Sequence, residues 1–575
     1  MHYKEKYNLW LNSPIIDRET KQELLDIQGN EKEIEDRFYK DLEFGTAGLR
    51  GKIGAGSNRM NKYTVGMATQ GLANYICKKG EEAKKKGVVI AYDSRRMSSD
   101  FALHAALVLC ANGIKTYLYK QMQPTPILSF SIRELGTISG IVITASHNPP
   151  EYNGYKVYWS DGAQVSPPMD REIIEEVSRV KGFEDIKKTD EKEALEKGLL
   201  LYIDEEVVSR YIEKVTNLCI NKSLIEKYGK ELKVVYTPLN GTGNKPVRRV
   251  LKELGFEHVF VVPEQELPDP DFSTVGYPNP EDKKVFALGI ELAEKHDADL
   301  IIATDPDCDR IGVVVKNKEG EYVALSGNQI GALIVYYVLS GLEAQGRLPE
   351  NSYIVKSIVT SELGRVIADS FGVATMNTLT GFKFICGKVR EIEERDPGKT
   401  YIMGYEESHG YVVDDFVRDK DGVIASMFMC EMAAWYKSKG MTLYEGLIDL
   451  WEKYGYYADK VKSIQMEGRE GMERIQQLMN NLRDAQLKEV AGIPVVRIED
   501  YYQGEAYNLE DGSTERIDFP VSNVLKFYLK DNSWFSVRPS GTEPKVKFYF
   551  STVGSSLQEA EAKNEKLIKA VDDMI

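Results

Sequence analysis

The stretch GVVIAYDSRRMSSDFALHAALVLCANGIKTYLY, residues 87–119, decides the fold. It opens on a β-branched apolar run, crosses a polar loop, continues through a helical stretch that stops at Gly113, and closes on a second apolar run. Glycine suits such a stop because the residue after a helix commonly turns left-handed. Strand, helix and strand on short links predict a parallel pair joined by a right-handed crossover. The same unit recurs as LKVVYTPLNGTGNKPVRRVLKELGFEHVFVV (232–262), stopping at Gly255, and as SYIVKSIVTSELGRVIADSFGVATMNTLT (352–380), stopping at Gly372. The three glycines lie 142 and 117 residues apart, intervals the size of a domain rather than of a solenoid repeat.

Working outward, the chain has 575 residues, which at roughly 150 residues per domain suggests about four domains. An acidic-basic stretch near 181–207 reads as a surface helical connection, and the Lys-Asp-Gly turn at 420–422 interrupts the third unit. Beyond residue 455 the pattern changes. VLKFYLKDNSWFSVRPSGTEPKVKFYFSTVG (524–554) alternates as strands around a turn, and an amphipathic helix follows it. The expected α/β architecture has three similar mixed α/β sandwich domains, 1–205, 206–325 and 326–455, and a smaller C-terminal α+β domain, 456–575.

The net charge of −15 gives no overall attraction to a polyanion, which argues against nucleic acid and anionic membranes as partners. Six cysteines stand singly, without the close pairs that zinc sites or redox motifs use, so a reduced cytoplasmic protein is expected. The charged start MHYKEKYNLWLNSP lacks the apolar core of a signal peptide, and runs such as DLIIAT are far too short to span a bilayer.

Four segments carry chemistry. In GIVITASHNPPEYNGYKVYW (140–159) an apolar strand enters a loop holding Ser146, His147 and Asn148 and continues to Lys156. That is the place for a nucleophilic serine at the end of a parallel strand, or for an ordinary Ser/His/Asn turn. In ADLIIATDPDCDRIGVVV (298–315) Asp305, Asp307 and Asp309 alternate before Arg310 between two apolar runs. Three carboxylates so close repel unless a cation neutralises them, and hard oxygen ligands suit Mg²⁺. An EF-hand is excluded, because Arg310 and Lys316 stand where that loop needs Gly and Glu.

VRPSGTEPK (537–545) combines Arg538 with a turn bearing Ser540, Gly541 and Thr542, either an anion cradle or a plain hairpin turn. The same pair of readings holds for EFGTAGLRGKIG (43–54) with Arg50 and for TLTGFKF (378–384) with Lys383. MGYEESHGYVVDD (403–415) groups Glu406, Glu407 and Ser408, the residue types that bind sugar hydroxyls. Adjacent glutamates in an extended loop point opposite ways, which disfavours a glycosidase pair, and His409 is read as a packing residue. An activated hydroxyl, a cation trap, an anion cradle and a polyol clamp together suit phosphoryl transfer on a sugar phosphate.

TASHNP, DPDCDR, GYEESHG and RPSGTEPK, in that order, resemble the motifs of the α-D-phosphohexomutase superfamily of phosphoglucomutases and phosphomannomutases along nearly the whole chain. The N-terminal lead before GTAGLRG and the form YEES are similar to the phosphoglucomutase-2/phosphopentomutase-like branch. The resemblance implies four domains around a central cleft, and an isomerase that interconverts glucose 1-phosphate and glucose 6-phosphate through a phosphoserine and a reorienting bisphosphate. Phosphomannomutase or phosphopentomutase is the alternative; a sugar-phosphate phosphatase and a non-catalytic sensor are more distant ones.

It further implies that Ser146 is the phosphoserine and that Asp305, Asp307 and Asp309 bind Mg²⁺ with its phosphate. Lys156 and Lys420 become acid/base groups, and Arg50 and Arg310 stabilise the transferring group. Thr380, Gly381 and Lys383 fall in the sugar-facing loop, Glu406 and Ser408 bind hydroxyls, and Arg538, Ser540, Gly541 and Thr542 grip the other phosphate. Glucose 1,6-bisphosphate is the implied primer. A lysine acts as a base only if its pKa falls from about 10.4, and Mg²⁺ with nearby arginines is expected to lower that of Lys156.

Overall fold

A computed structural model describes residues 2–45, 48–203, 205–466, 468–485, 487–540 and 545–574. The described chain forms two compact units, one of residues 1–327, 382–397 and 401–443, the other of residues 328–381, 398–400 and 444–575.

The first unit opens with helices Tyr3–Asn12, Arg18–Asp26 and Glu31–Phe38, whose Tyr7, Trp10, Leu24, Ile34 and Phe38 form a satellite core with Ala55 and Tyr63. A mixed sheet of six strands follows: β1 (Leu49–Lys52), β2 (Val88–Tyr92), β3 (Thr116–Tyr119), β4 (Ser139–Ile143), β5 (Tyr152–Trp159) and β6 (Leu200–Ile203), in the order β1-β5-β4-β2-β3-β6. Strands β2, β3, β4 and β6 run parallel, and β4-β5 and β5-β1 are antiparallel. Tyr92 pairs with Ile143, so the loops leaving β2 and β4 emerge side by side.

Strand β6 corrects the expected surface helical connection over 181–207. Short helical turns occur there, but the apolar run 200–203 adds an edge strand parallel to β3, and Leu200 and Ala194 join the core of the sheet. A four-residue run among charges offers little periodicity to read.

The second sheet has the order β11-β10-β9-β7-β8, with β7 (Lys233–Thr237), β8 (His258–Val261), β9 (Leu300–Thr304), β10 (Ile311–Lys316) and β11 (Tyr322–Ala324). β7 is parallel to β8 and β9, so the loops that follow β7 and β9 meet at one sheet edge. In the second unit β12 (Ser352–Ser357) and β13 (Ala374–Thr378) pair in parallel. In the first unit β14 (Thr400–Glu406), apart from Thr400, and β15 (Gly410–Val413) form an antiparallel hairpin with Glu406 opposite Gly410. The expected parallel pairs β2-β3, β7-β8 and β12-β13 are all present, and Gly113, Gly255 and Gly372 adopt φ of 73°, 101° and 70°.

The C-terminal region is an antiparallel sheet of β16 (Tyr456–Gln465), β17 (Glu489–Val490), β18 (Ile493–Asp500), β19 (Glu505–Asn508), β20 (Thr514–Arg516), β21 (Leu525–Leu529), β22 (Trp534–Pro539) and β23 (Lys545–Gly554). Phe527, Phe535, Phe548 and Phe550 pack with Met479, Leu567 and Val571 from the covering helices. Among the described residues no helix is long and apolar enough to cross a membrane.

Candidate active site

Strand β4 is buried along its whole length, and the chain leaves it through Thr144 into a tight turn where Ser146 takes a left-handed φ of 52°. Ser146 is 4 % exposed, and its hydroxyl donates to Asp305 Oδ2 at 2.7 Å and lies 3.2 Å from His147 Nδ1.

Asp305, Asp307 and Asp309 follow β9, all buried, with one carboxylate oxygen of each within 4.8 Å of the others. The loop curls because Asp305 Oδ1 accepts from the backbone N–H groups of Asp309 and Arg310, both at 3.1 Å. The loop after β7 supports it from behind, Thr242 donating its N–H and its hydroxyl to the Pro306 carbonyl at 2.8 and 2.9 Å. A Cβ on Gly241 would stand 2.5 Å from Pro306 Cα, so glycine permits that approach. Thr125 donates to the Asp307 carbonyl and to Asp307 Oδ2, each at 2.9 Å.

Asp307 Oδ1 and Asp309 Oδ1 are buried without a hydrogen-bond partner. Buried oxygens that lack a donor in a cluster of three carboxylates fit a hard divalent cation such as Mg²⁺. Burial and the neighbouring Asp307 and Asp309 push the Asp305 carboxyl well above the usual range, whereas Lys156 overcomes burial at Asp307 and holds it below.

Lys156 sits on β5 opposite Val142 of β4, its Nζ 2.9 Å from Asp307 Oδ2 and 3.7 Å from Asp309 Oδ2. Among the chain's own groups its pKa is raised; the expected lowering is one that bound Mg²⁺ with the arginines would bring. Burial acts to lower it, but the two carboxylates outweigh burial and raise it, so the lysine is an ammonium. Lys420 is held the same way, 3.0 Å from both Asp309 Oδ2 and Asp419 Oδ1, with those carboxylates again overcoming burial. Gly410 gives it room: a Cβ there would stand 2.2 Å from Lys420 Cδ.

Arg310 pairs with Glu281 and lies 3.8 Å from Asp309 Oδ1, and Arg50 on β1 reaches Asn148 Oδ1 at 3.4 Å. Glu406, buried at the end of β14, acts electrostatically on both Arg310 and Lys420, and Ser408 lies in the hairpin turn beyond it. Lys383 is at the start of helix Phe382–Arg395, where burial lowers its pKa. His409 packs: its Nδ1 meets the Ile311 carbonyl at 3.0 Å, and burial lowers its pKa.

The second unit holds the remaining expected residues. Thr380 Oγ1 is buried without a hydrogen-bond partner and Gly381 has φ of 122°. Arg538 on β22 reaches the Tyr549 hydroxyl at 3.4 Å, and Ser540 N–H bonds the Lys545 carbonyl at 2.7 Å. Gly541 and Thr542 lie outside the described residues.

Sequence reasoning missed Thr125, Asp419, and Asp93 with Arg95. Asp419 accepts from Tyr158 at 2.6 Å and so ties the Lys420 turn to β5. The only signal for Thr125 and for Asp93 is position, each beginning a loop or helix at the C-terminal edge of the parallel sheet.

The chain matches four consecutive family models: phosphoglucomutase/phosphomannomutase alpha/beta/alpha domain I over residues 41–182, domain II over 209–320, domain III over 326–454, and the C-terminal domain over 475–572. It is 39 % identical over 517 residues to a phosphoglucomutase of Staphylococcus haemolyticus, covering 90 % of this chain and 91 % of that one. It is 36 % identical over 552 residues to a phosphoglucomutase of Staphylococcus saprophyticus, covering 96 % and 97 %. The crystal structure of the Paramecium phosphoprotein pp63/parafusin, a phosphoglucomutase in its open form, shares the fold at a TM-score of 0.70 and 19 % identity, covering 93 % of this chain and 95 % of that one. With four domain models matched in order along most of its length, this chain belongs to the phosphoglucomutase/phosphomannomutase family.

Proposed function

We propose that this protein is a Mg²⁺-dependent phosphosugar mutase that interconverts glucose 1-phosphate and glucose 6-phosphate, the activity named for its relatives of 36–39 % identity. One observation carries the reading: a buried serine hydroxyl 2.7 Å from a buried carboxylate trio, with two lysines against the same trio. The domain division 1–205, 206–325, 326–455 and 456–575 follows the four matched stretches. The six free cysteines suit a reduced cytoplasmic setting.

Ser146 carries a phosphoryl group. A sugar-phosphate hydroxyl attacks it, the bond from phosphorus to Ser146 Oγ breaks, a new one to the sugar oxygen forms, and the hydroxyl proton passes to a basic group. The bisphosphate turns over and returns its other phosphoryl group to Ser146 Oγ. Glucose 1,6-bisphosphate serves as primer for unphosphorylated enzyme. Asp305, Asp307, Asp309 and the Ser146 phosphate would hold Mg²⁺, which supplies charge neutralisation for the transferring group.

Lys156 and Lys420, ammonium groups in their carboxylate pairs, deliver protons to leaving oxygens, and the amine left on a lysine that has given its proton takes the proton of the attacking hydroxyl in the return transfer. Arg50 and Arg310 balance charge on the phosphoryl oxygens. Glu406 and Ser408 accept from and donate to sugar hydroxyls. Thr380, Gly381 and Lys383 line the sugar, and Arg538, Ser540, Gly541 and Thr542 hold the phosphate that is not transferred.

The test compares kcat/KM for glucose 1-phosphate, mannose 1-phosphate and ribose 1-phosphate with Mg²⁺ and bisphosphate primer. A preference for glucose 1-phosphate with no net release of inorganic phosphate is expected. A preference for mannose or ribose 1-phosphate would reassign the sugar, and phosphate release exceeding isomerised product would overturn the mutase.

A further inference from the structure

The polar loop of the first repeat, YDSRRMSS (92–99), has no part in the chemistry above, yet its Asp93 and Arg95 are buried with fully covered side chains. Asp93 Oδ1 accepts from Arg95 N at 3.0 Å and from Ser98 Oγ at 2.7 Å, and its Oδ2 lies 3.3 Å from Arg95 Nε. The pair faces the Ser146 turn because β2 and β4 are neighbours, Asp93 N–H itself bonding the Ile143 carbonyl at 3.1 Å.

From that position the pair grips both sides of Ser146. On the N-terminal side the Thr144 hydroxyl donates to Asp93 Oδ2 at 2.6 Å and accepts from Ser146 N–H at 2.8 Å. On the C-terminal side Arg95 Nη2 donates to the carbonyls of Ser146 and Asn148, and Nη1 to those of Pro149 and Tyr152 at 2.8 and 3.1 Å. A planar guanidinium suits this, since its fixed fork can gather several carbonyls that would otherwise be buried unpaired. Ser146 needs the support: a non-glycine residue with φ of 52° persists only where its surroundings over-determine it. It is in this conformation that its hydroxyl meets Asp305.

We propose that Asp93 and Arg95, with Thr144 as relay, are positioning residues that hold Ser146 in its left-handed conformation, so that its Oγ faces the aspartate trio in both phosphorylated and free forms. The inference rests on the reading of Ser146 as the phosphoserine. It assigns the β2 loop to the rate of phosphoryl transfer and not to sugar binding, since neither residue is exposed to a ligand.

The experiment uses the full-length protein with Mg²⁺ and bisphosphate primer. Thr144→Val keeps the volume and removes the relay, Thr144→Ser restores a hydroxyl, Arg95→Met removes the gathered carbonyl bonds, and Ser146→Ala is run in parallel. A misplacement of about 1 Å can cost about 100-fold in rate. Thr144→Val is therefore expected to lower kcat about 100-fold, with the KM for glucose 1-phosphate changed less than about 3-fold. Phosphorylation of Ser146 by glucose 1,6-bisphosphate slows in parallel, and Thr144→Ser recovers most of the rate.

A merely structural role would lower the melting temperature and the folded fraction but leave the phosphorylation rate per folded molecule unchanged. That result, or wild-type kcat in Thr144→Val, overturns the inference while an inactive Ser146→Ala leaves the phosphoserine reading standing. Full activity in Ser146→Ala overturns both. If Arg95→Met does not fold, Thr144→Val against Thr144→Ser decides.

Discussion

The hydroxyl of Ser146 donates to Asp305 Oδ2 at 2.7 Å across 159 residues of sequence. Two separate sheets place these residues, one on the loop after β4 and one directly after β9, each at the C-terminal end of its strand. The contact sets the proposed phosphoryl carrier against three carboxylates that two lysines offset in part, and whose unpartnered oxygens on Asp307 and Asp309 suit a divalent cation.

Metal removal should therefore silence the enzyme. Chelation is expected to abolish turnover and added Mg²⁺ to restore it. Asp309→Asn, which keeps the shape but removes one charge from the trio, is expected to raise the Mg²⁺ concentration for half-maximal activity by about 10-fold or more. A Mg²⁺ titration of initial rates checks this, and an unchanged requirement would remove Asp309 from the metal site.

Gly410 is tied to Lys420 by space. Ala at 410 would put its Cβ 2.2 Å from the Lys420 stem, which must swing away from Asp309. Gly410→Ala is expected to lower kcat by about 10- to 100-fold with little loss of melting temperature. Adding it to Lys420→Ala is expected to cost almost nothing more, since both remove one interaction. Additive losses in the double variant would mean that Gly410 acts by another route.

Asp421 caps helix Gly422–Ser438, accepting from Val423 and Ile424 N–H at 2.9 Å and from the Tyr211 hydroxyl. Burial pushes its carboxyl up to about 7, against an ordinary value of 3.8. A group whose pKa rises on folding contributes stability that is full below the unfolded value and is lost as pH climbs through the folded one. Its share should thus decline between about pH 4 and pH 7, by at most roughly 4 kcal/mol. Asn can still cap the helix but does not titrate. Asp421→Asn is therefore expected to match the wild type near pH 4 and to gain stability over it at pH 8, as read from denaturant midpoints at the two pH values. A deficit at pH 8 would contradict the assignment.

The repeated strand-helix-strand units were legible because each writes its own periodicity and ends its helix on a glycine, as Gly113, Gly255 and Gly372 do. The aspartate trio was legible because alternate carboxylates between apolar runs admit few meanings. Other features depended on pairs distant in sequence. Thr125 meets Asp307, Tyr158 meets Asp419, and Arg95 meets four carbonyls of the Ser146 loop, and none of these partners is marked by composition or spacing. The carboxylate partners of Lys156 were hidden for the same reason. Sequence displays the arginines of the motifs, but only the register of β5 against β4 aims the lysine at Asp307.

Whether Ser146 carries the phosphoryl group is the most direct question. Intact-mass measurement followed by peptide mapping, on protein incubated with glucose 1,6-bisphosphate and Mg²⁺, should find one phosphate on the peptide containing residues 144–149, absent from Ser146→Ala, which should also be inactive. Phosphate on another residue, or turnover by Ser146→Ala at the wild-type rate, would contradict the mechanism.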